Sequence, residues 1–155
     1  MADTGKRQIF ITIFTGKWRE SKREKSGKNL ENKQRMKINK EQLQVYAVTD
    51  TKSIRKERYA TLCDAVEAAI KGGATIVQLR EKELSEDTFL AEATEIKKLT
   101  QRYGVPLIIN DNVALAKACQ ADGVHLGQGD MPVEEARAIL GDAAIIGVSA
   151  HNVEE

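Results

Sequence analysis

The sequence predicts an α/β protein built on a parallel sheet, and three observations carry that expectation. Short apolar, β-branched runs recur at 45–49, 75–79, 106–110, 123–126 and 144–149. Helical patterns fill the gaps between them, and the connections are short. Strands that alternate with helices in this way pair in parallel and are covered by the helices. A doubly wound sheet and a barrel both fit the order β-α-β-α-β-α-β-α-β, and periodicity does not separate them.

Each element has its own signal. In 60–71, Leu62, Ala65, Val66, Ala69 and Ile70 recur at three- and four-residue spacing, and Gly72-Gly73 follows as a C-cap. In 86–102 the repeating set is Phe89, Leu90, Ala93, Ile96 and Leu99, with Gly104 near the end. Two shorter helices are expected at 112–120 and 133–140. The second begins beside Pro132, a favoured first-turn residue, and stops before Gly141.

Composition and charge narrow the class. The chain has 155 residues, 41% hydrophobic and 30% charged, enough for one ordinary domain with a core. No apolar run approaches the roughly 18 residues that would span a bilayer, and Ile9–Phe14 lacks the cleavage site of a signal peptide. A cytoplasmic protein without membrane partners is expected, with Cys63 and Cys119 as reduced, small apolar residues. Residues 1–40 hold 12 Lys and Arg against 4 Asp and Glu, whereas the remainder holds 12 against 19. Residues 1–40 therefore read as a basic, disordered extension that buries too little to offset its ordering entropy. Residues 41–155 read as the folded domain. The abrupt change after Met36 suggests a start there, with 1–35 as upstream sequence. Binding of nucleic acid by the basic stretch is not expected, because aromatic residues are not interleaved with the charges.

Strands buried on both faces should be apolar throughout, and several of these are not. In Thr75–Lys82, Gln78, Arg80 and Lys82 share one face by the strand period, while Val77 and Leu79 take the other. Either that face meets an anion, or the strand ends at Leu79 and the charges lie in a solvated loop. The third run ends in Asn110-Asp111-Asn112, where catalytic groups of α/β enzymes sit, but Asp111 or Asn112 could instead cap the next helix. The fourth run holds His125, a core histidine or a functional one, and leads to Asp130, a second carboxylate that could be a cap. In the fifth, Gly147 and Ser149 share a face, which leaves room for a ligand or tapers a packed interior. Together, Asp111 and Asp130 on neighbouring strand ends would repel unless they shared a proton or a divalent cation. With Arg80 and Lys82 near, a Mg²⁺–diphosphate site resolves the charges.

Five segments in order, 43–50 (LQVYAVTD), 72–82 (GGATIVQLREK), 106–111 (PLIIND), 121–132 (ADGVHLGQGDMP) and 145–151 (IIGVSAH), resemble the thiamine-phosphate synthase family over roughly residues 43–155. The resemblance implies a TIM (β/α)₈ barrel, present here as about five of its eight β-α units. It implies a transferase that joins 4-amino-2-methyl-5-(diphosphooxymethyl)pyrimidine to 4-methyl-5-(2-phosphooxyethyl)thiazole, forming thiamine phosphate and diphosphate. By motif, Asp111 and Asp130 would hold Mg²⁺, and Arg80, Lys82 and Asn110 would grip the diphosphate. Gln78 would bond the aminopyrimidine and Ser149 would contact the same substrate. The thiazole-phosphate loops would belong to later strands, so this chain alone is expected to be inactive or nearly so, with two open sheet edges. The competing readings are a thiazole tautomerase of the same barrel, which need not bind diphosphate, and a non-catalytic truncated product.

Overall fold

The computed structural model describes residues 38, 41–50, 58–81 and 83–152. Apart from Ile38, which packs against the inner-face cluster of Tyr46, Ile76 and Ile108, the expected basic extension, the Met36 start and Lys82 fall outside those residues. After a 3₁₀ turn at Glu41–Leu43, the chain runs β1 (Tyr46–Val48), α1 (Leu62–Lys71), β2 (Ile76–Leu79), α2 (Glu86–Tyr103), β3 (Leu107–Asn110), α3 (Val113–Ala118), β4 (Gly123–Leu126), α4 (Val133–Leu140) and β5 (Ile145–Val148). Every expected strand and helix is present, most of them trimmed by a residue or two at their ends. Among the described residues no helix is long and apolar enough to cross a membrane.

Local chemistry sets the helix starts. Thr61 caps α1 in a reciprocal box with Asp64: the Asp64 amide donates to Thr61 Oγ1 at 3.1 Å, and the Thr61 amide to Asp64 Oδ2 at 3.0 Å. Ser85 caps α2, accepting from the Thr88 amide. Asn112 caps α3 through the Leu115 amide at 2.8 Å, which settles the ambiguity at that strand end in favour of Asn112. Pro132 sits at the N-cap of α4, one position earlier than its first-turn preference suggests, and no side chain caps that helix.

The sheet is parallel throughout, in the order β1-β2-β3-β4-β5. A doubly wound sheet reverses direction at a switch point. This one never does, so the fold is a singly wound partial barrel. One face of the sheet takes all four helices. Val77, Leu79, Leu107, Ile109, Val124 and Leu126 pack there against Leu62, Val66, Phe89, Ile96, Leu99, Val113 and Ala136. Burying each large side chain contributes about 1.5–3 kcal/mol. Cys119 belongs to this core and Cys63 packs against it, both as free thiols. On the opposite, inner face Tyr46, Ile76 and Ile108 form a second cluster with Val48 and Ile145 against them.

The inner-face contacts run diagonally. Gln78 is the Cα partner of Ile108, yet its side chain bonds Asn110, two residues further along β3. His125 is the Cα partner of Gly147, yet its ring bonds Ser149, again two residues on. A stagger of the same sense at both steps is what tilted barrel strands produce.

Candidate active site at the carboxyl ends of the strands

The inner face changes from apolar to polar toward the carboxyl ends of the strands. Gln78, buried at 5% exposure, donates from Nε2 to Asn110 Oδ1 at 2.6 Å, and Asn110 Nδ2 donates to Asp111 Oδ2 at 2.5 Å. These two bonds fix the Asn110 amide, since its oxygen must face Gln78 and its nitrogen the carboxylate. Each amide nitrogen keeps a second hydrogen for a ligand.

Asp111 leaves β3 with φ 62°, the left-handed region that Asp tolerates better than most residues. Its amide donates to His125 O at 2.8 Å, and the Asn112 amide turns back to Asn110 O at 2.7 Å. This sharp turn frees Asp111 from the capping role, which Asn112 takes. The Asp111 carboxyl meets Asp130: burial first, and then the hydrogen bond and charge of Asp130, raise its pKa, while the Arg80 charge and the Asn110 bond oppose the rise. Asp130 does not cap α4 either. Its Oδ2 accepts from the Gly127 amide at 2.6 Å, closing the turn between β4 and α4. The structure therefore brings Asp130 and Arg80 within electrostatic reach of Asp111, and links Gln78 to the same carboxylate through Asn110.

On β5, the Ser149 hydroxyl lies 2.9 Å from His125 Nε2. Burial lowers the His125 pKa, which keeps the ring neutral at neutral pH. Gly147 makes room for that ring, because a Cβ there would stand 2.6 Å from His125 Nδ1. The loop reading of Arg80 is half right. The regular strand ends at Leu79, and the Arg80 amide is then held by Thr49 Oγ1 at 2.9 Å. Thr49 was not singled out in the sequence; its only signal was a hydroxyl at the end of an otherwise apolar run. Nearby, burial first, and then the charges of Glu92, Asp50 and Glu83, push Glu81 up to about 7.

Among the described residues no group of three or more His, Cys, Asp or Glu could enclose a metal. Two neighbouring carboxylates supply two hard oxygen donors. That suits Mg²⁺, which typically takes one or two carboxylates and fills its shell with substrate phosphate and water. Two acids held together need a shared proton or a cation; burial first, and then the nearness of Asp130, raises the Asp111 pKa.

Comparison with known proteins identifies the family. The family model described as thiamine monophosphate synthase matches residues 45–155. A thiamine-phosphate synthase of Clostridium acetobutylicum is 55% identical over 111 residues, covering 72% of this chain and 51% of the relative. A thiamine biosynthetic bifunctional enzyme of Saccharomyces cerevisiae is 46% identical over 111 residues, covering 72% of the chain and 20% of the relative. The solved structure of a thiamine phosphate pyrophosphorylase from Pyrococcus furiosus superposes with a TM-score of 0.62 at 34% identity, covering 71% of this chain and 51% of the other. The chain spans about half the length of the bacterial relatives it matches. With the family model matching residues 45–155, identities near one half to the curated relatives and a superposable fold, the chain belongs to the thiamine monophosphate synthase family.

Proposed function

We propose that this chain carries the pyrimidine-diphosphate half of a thiamine-phosphate synthase site. The reaction would transfer the aminopyrimidine methylene from diphosphate to the ring nitrogen of the thiazole phosphate. The observation that carries the reading is the meeting of Asp111 and Asp130 beside Arg80 at the ends of adjacent strands. In this reading Asp111 and Asp130 hold Mg²⁺, which supplies positive charge against the departing diphosphate oxygens. Arg80, Lys82 and the free hydrogen of the Asn110 amide bind those oxygens and stabilise charge that grows as the carbon–oxygen bond breaks. Gln78 hydrogen-bonds the aminopyrimidine, and Ser149 contacts the same ring from β5. A tertiary ring nitrogen carries no proton, so the attack asks for no general base. The partners are small molecules, and a cytoplasmic setting fits a biosynthetic enzyme.

Titration calorimetry tests this. The chain should bind 4-amino-2-methyl-5-(diphosphooxymethyl)pyrimidine only when Mg²⁺ is present. Loss of an outer partner of a metal ligand typically costs 10–100-fold, so Asp111→Asn and Asp130→Asn, which remove direct ligands, should each weaken binding by about 100-fold. Equal affinity with and without Mg²⁺ would refute the reading and favour a barrel relative that does not handle diphosphate.

A further inference from the structure

Every polar group of Ser149 is engaged by one short stretch of β4 and the loop after it. The Ser149 amide donates to Leu126 O at 2.9 Å, its hydroxyl meets His125 Nε2 at 2.9 Å, and its carbonyl accepts from Gln128 Nε2 at 2.6 Å. The first of these is ordinary parallel pairing. The other two are side-chain bonds that no β-sheet requires. Gln128 is exposed and could satisfy its amide with water, so holding the carbonyl of a neighbouring strand end fixes a position rather than filling a core.

Gln128 also sits inside the turn that aims Asp130. The Gly127 amide, one residue before it, donates to Asp130 Oδ2, and the Asp130 amide, two residues after it, donates back to Gly127 O at 3.2 Å. The segment 125–130 thus sets both the second carboxylate and the serine on the adjacent strand. Gly147 completes the arrangement, since any side chain there would drive the His125 ring away from Ser149.

We propose that Gln128 and His125 are positioning residues for Ser149, locking its hydroxyl and carbonyl to the turn that carries Asp130. This rests on the reading of Ser149 as a pyrimidine contact. Removing the Gln128 bond frees the end of β5 and costs alignment of the pyrimidine ring. The diphosphate, which would be held by Arg80 and by the cation at Asp111 and Asp130, is unaffected.

The test uses the chain with Gln128→Ala, Gln128→Glu (equal length, no donor), Ser149→Ala and the double variant Gln128→Ala/Ser149→Ala. Two probes are titrated with Mg²⁺ present: the pyrimidine diphosphate and inorganic diphosphate. Loss of one neutral hydrogen bond corresponds to a factor of roughly five to ten. Both Gln128 variants should weaken the pyrimidine probe by about that factor and leave inorganic diphosphate unchanged. The double variant should bind no worse than Ser149→Ala alone. Equal weakening of both probes would mean that Gln128 only supports the Asp130 turn, and additive losses would mean that it acts apart from Ser149; either overturns the proposal. If the wild-type chain binds no pyrimidine probe, the functional reading has failed, and the contacts are then judged without ligand. The Ser149 carbonyl ¹³C resonance should move in Gln128→Ala and the His125 Nε2 resonance in Ser149→Ala. Unmoved resonances overturn the positioning claim on its own.

Discussion

Replacing Gly123 by Ala probes the packing that brings β4 and β5 together. An added Cβ would lie 1.9 Å from the Ile145 carbonyl oxygen, 2.6 Å from its carbon and 2.7 Å from Ile145 Cβ. None of these atoms can swing aside by changing a side-chain rotamer. Ordinary contact begins near 3.4 Å, so the two strands would have to part by about 1.5 Å at this point. The Ile145 amide donates to Asp122 O at 2.8 Å, immediately beside the clash, and separation on that scale breaks the bond. One lost ladder bond costs about 1 kcal/mol and an overpacked site typically 1–3 kcal/mol more. About 3 kcal/mol is a large share of a domain stability of 5–15 kcal/mol. For a domain of about 100 residues that corresponds to a fall in Tm of ten degrees or more. Differential scanning calorimetry reads it directly, and amide exchange should show faster exchange at Ile145 and Ser149. A Tm within one or two degrees of wild type would refute the register that sets Gly123 against Ile145, and with it the route by which Ser149 reaches His125.

Asn112→Ala separates capping from metal binding at one strand end. It should lower stability by about 1 kcal/mol through the lost bond to the Leu115 amide while leaving Mg²⁺-dependent diphosphate binding intact. Urea unfolding and calorimetry on one sample check both halves. Glu81→Gln should reveal a pH-dependent cost. The folded-state pKa of Glu81 is raised from 4.5 to about 7, so the folded chain binds this proton more tightly than the unfolded one, and wild-type stability falls as pH rises through that window. The variant should therefore match wild type below about pH 4.5 and exceed it above about 7, as measured by Tm against pH. Parallel curves over the whole range would contradict the assignment.

The linear order of elements was legible because it is local. Val77 and Leu79 alternate with Gln78 by the strand period, and Phe89, Ala93, Ile96 and Leu99 follow the helix period, so both patterns named the buried face correctly. Whether the sheet is singly or doubly wound was not legible, because the choice lies in which strands neighbour which, and no residue records that. The resemblance supplied the barrel and the strand order confirms it. Capping chemistry was readable only as a set of candidates, since Asp111, Asn112 and Asp130 are all residue types that cap helices. The left-handed turn at Asp111 decides between them by passing the cap to Asn112 and sending the Asp111 carboxyl toward Asp130. Gln128 and Thr49 escaped notice for another reason. A single polar side chain in a loop has no period, and its meaning comes only from the carbonyl or amide it reaches across strands.

The central claim is that Asp111 and Asp130 take one divalent cation between them, with Arg80 beside the anion that completes its shell. Crystals of the chain grown with Mn²⁺ and diphosphate test it at atomic level through the anomalous signal of manganese. The account requires a single anomalous peak touching both carboxylates, with phosphate oxygens reaching toward Arg80. A peak elsewhere, or a diphosphate bound away from Asp111 with the two acids still in mutual contact, would contradict it.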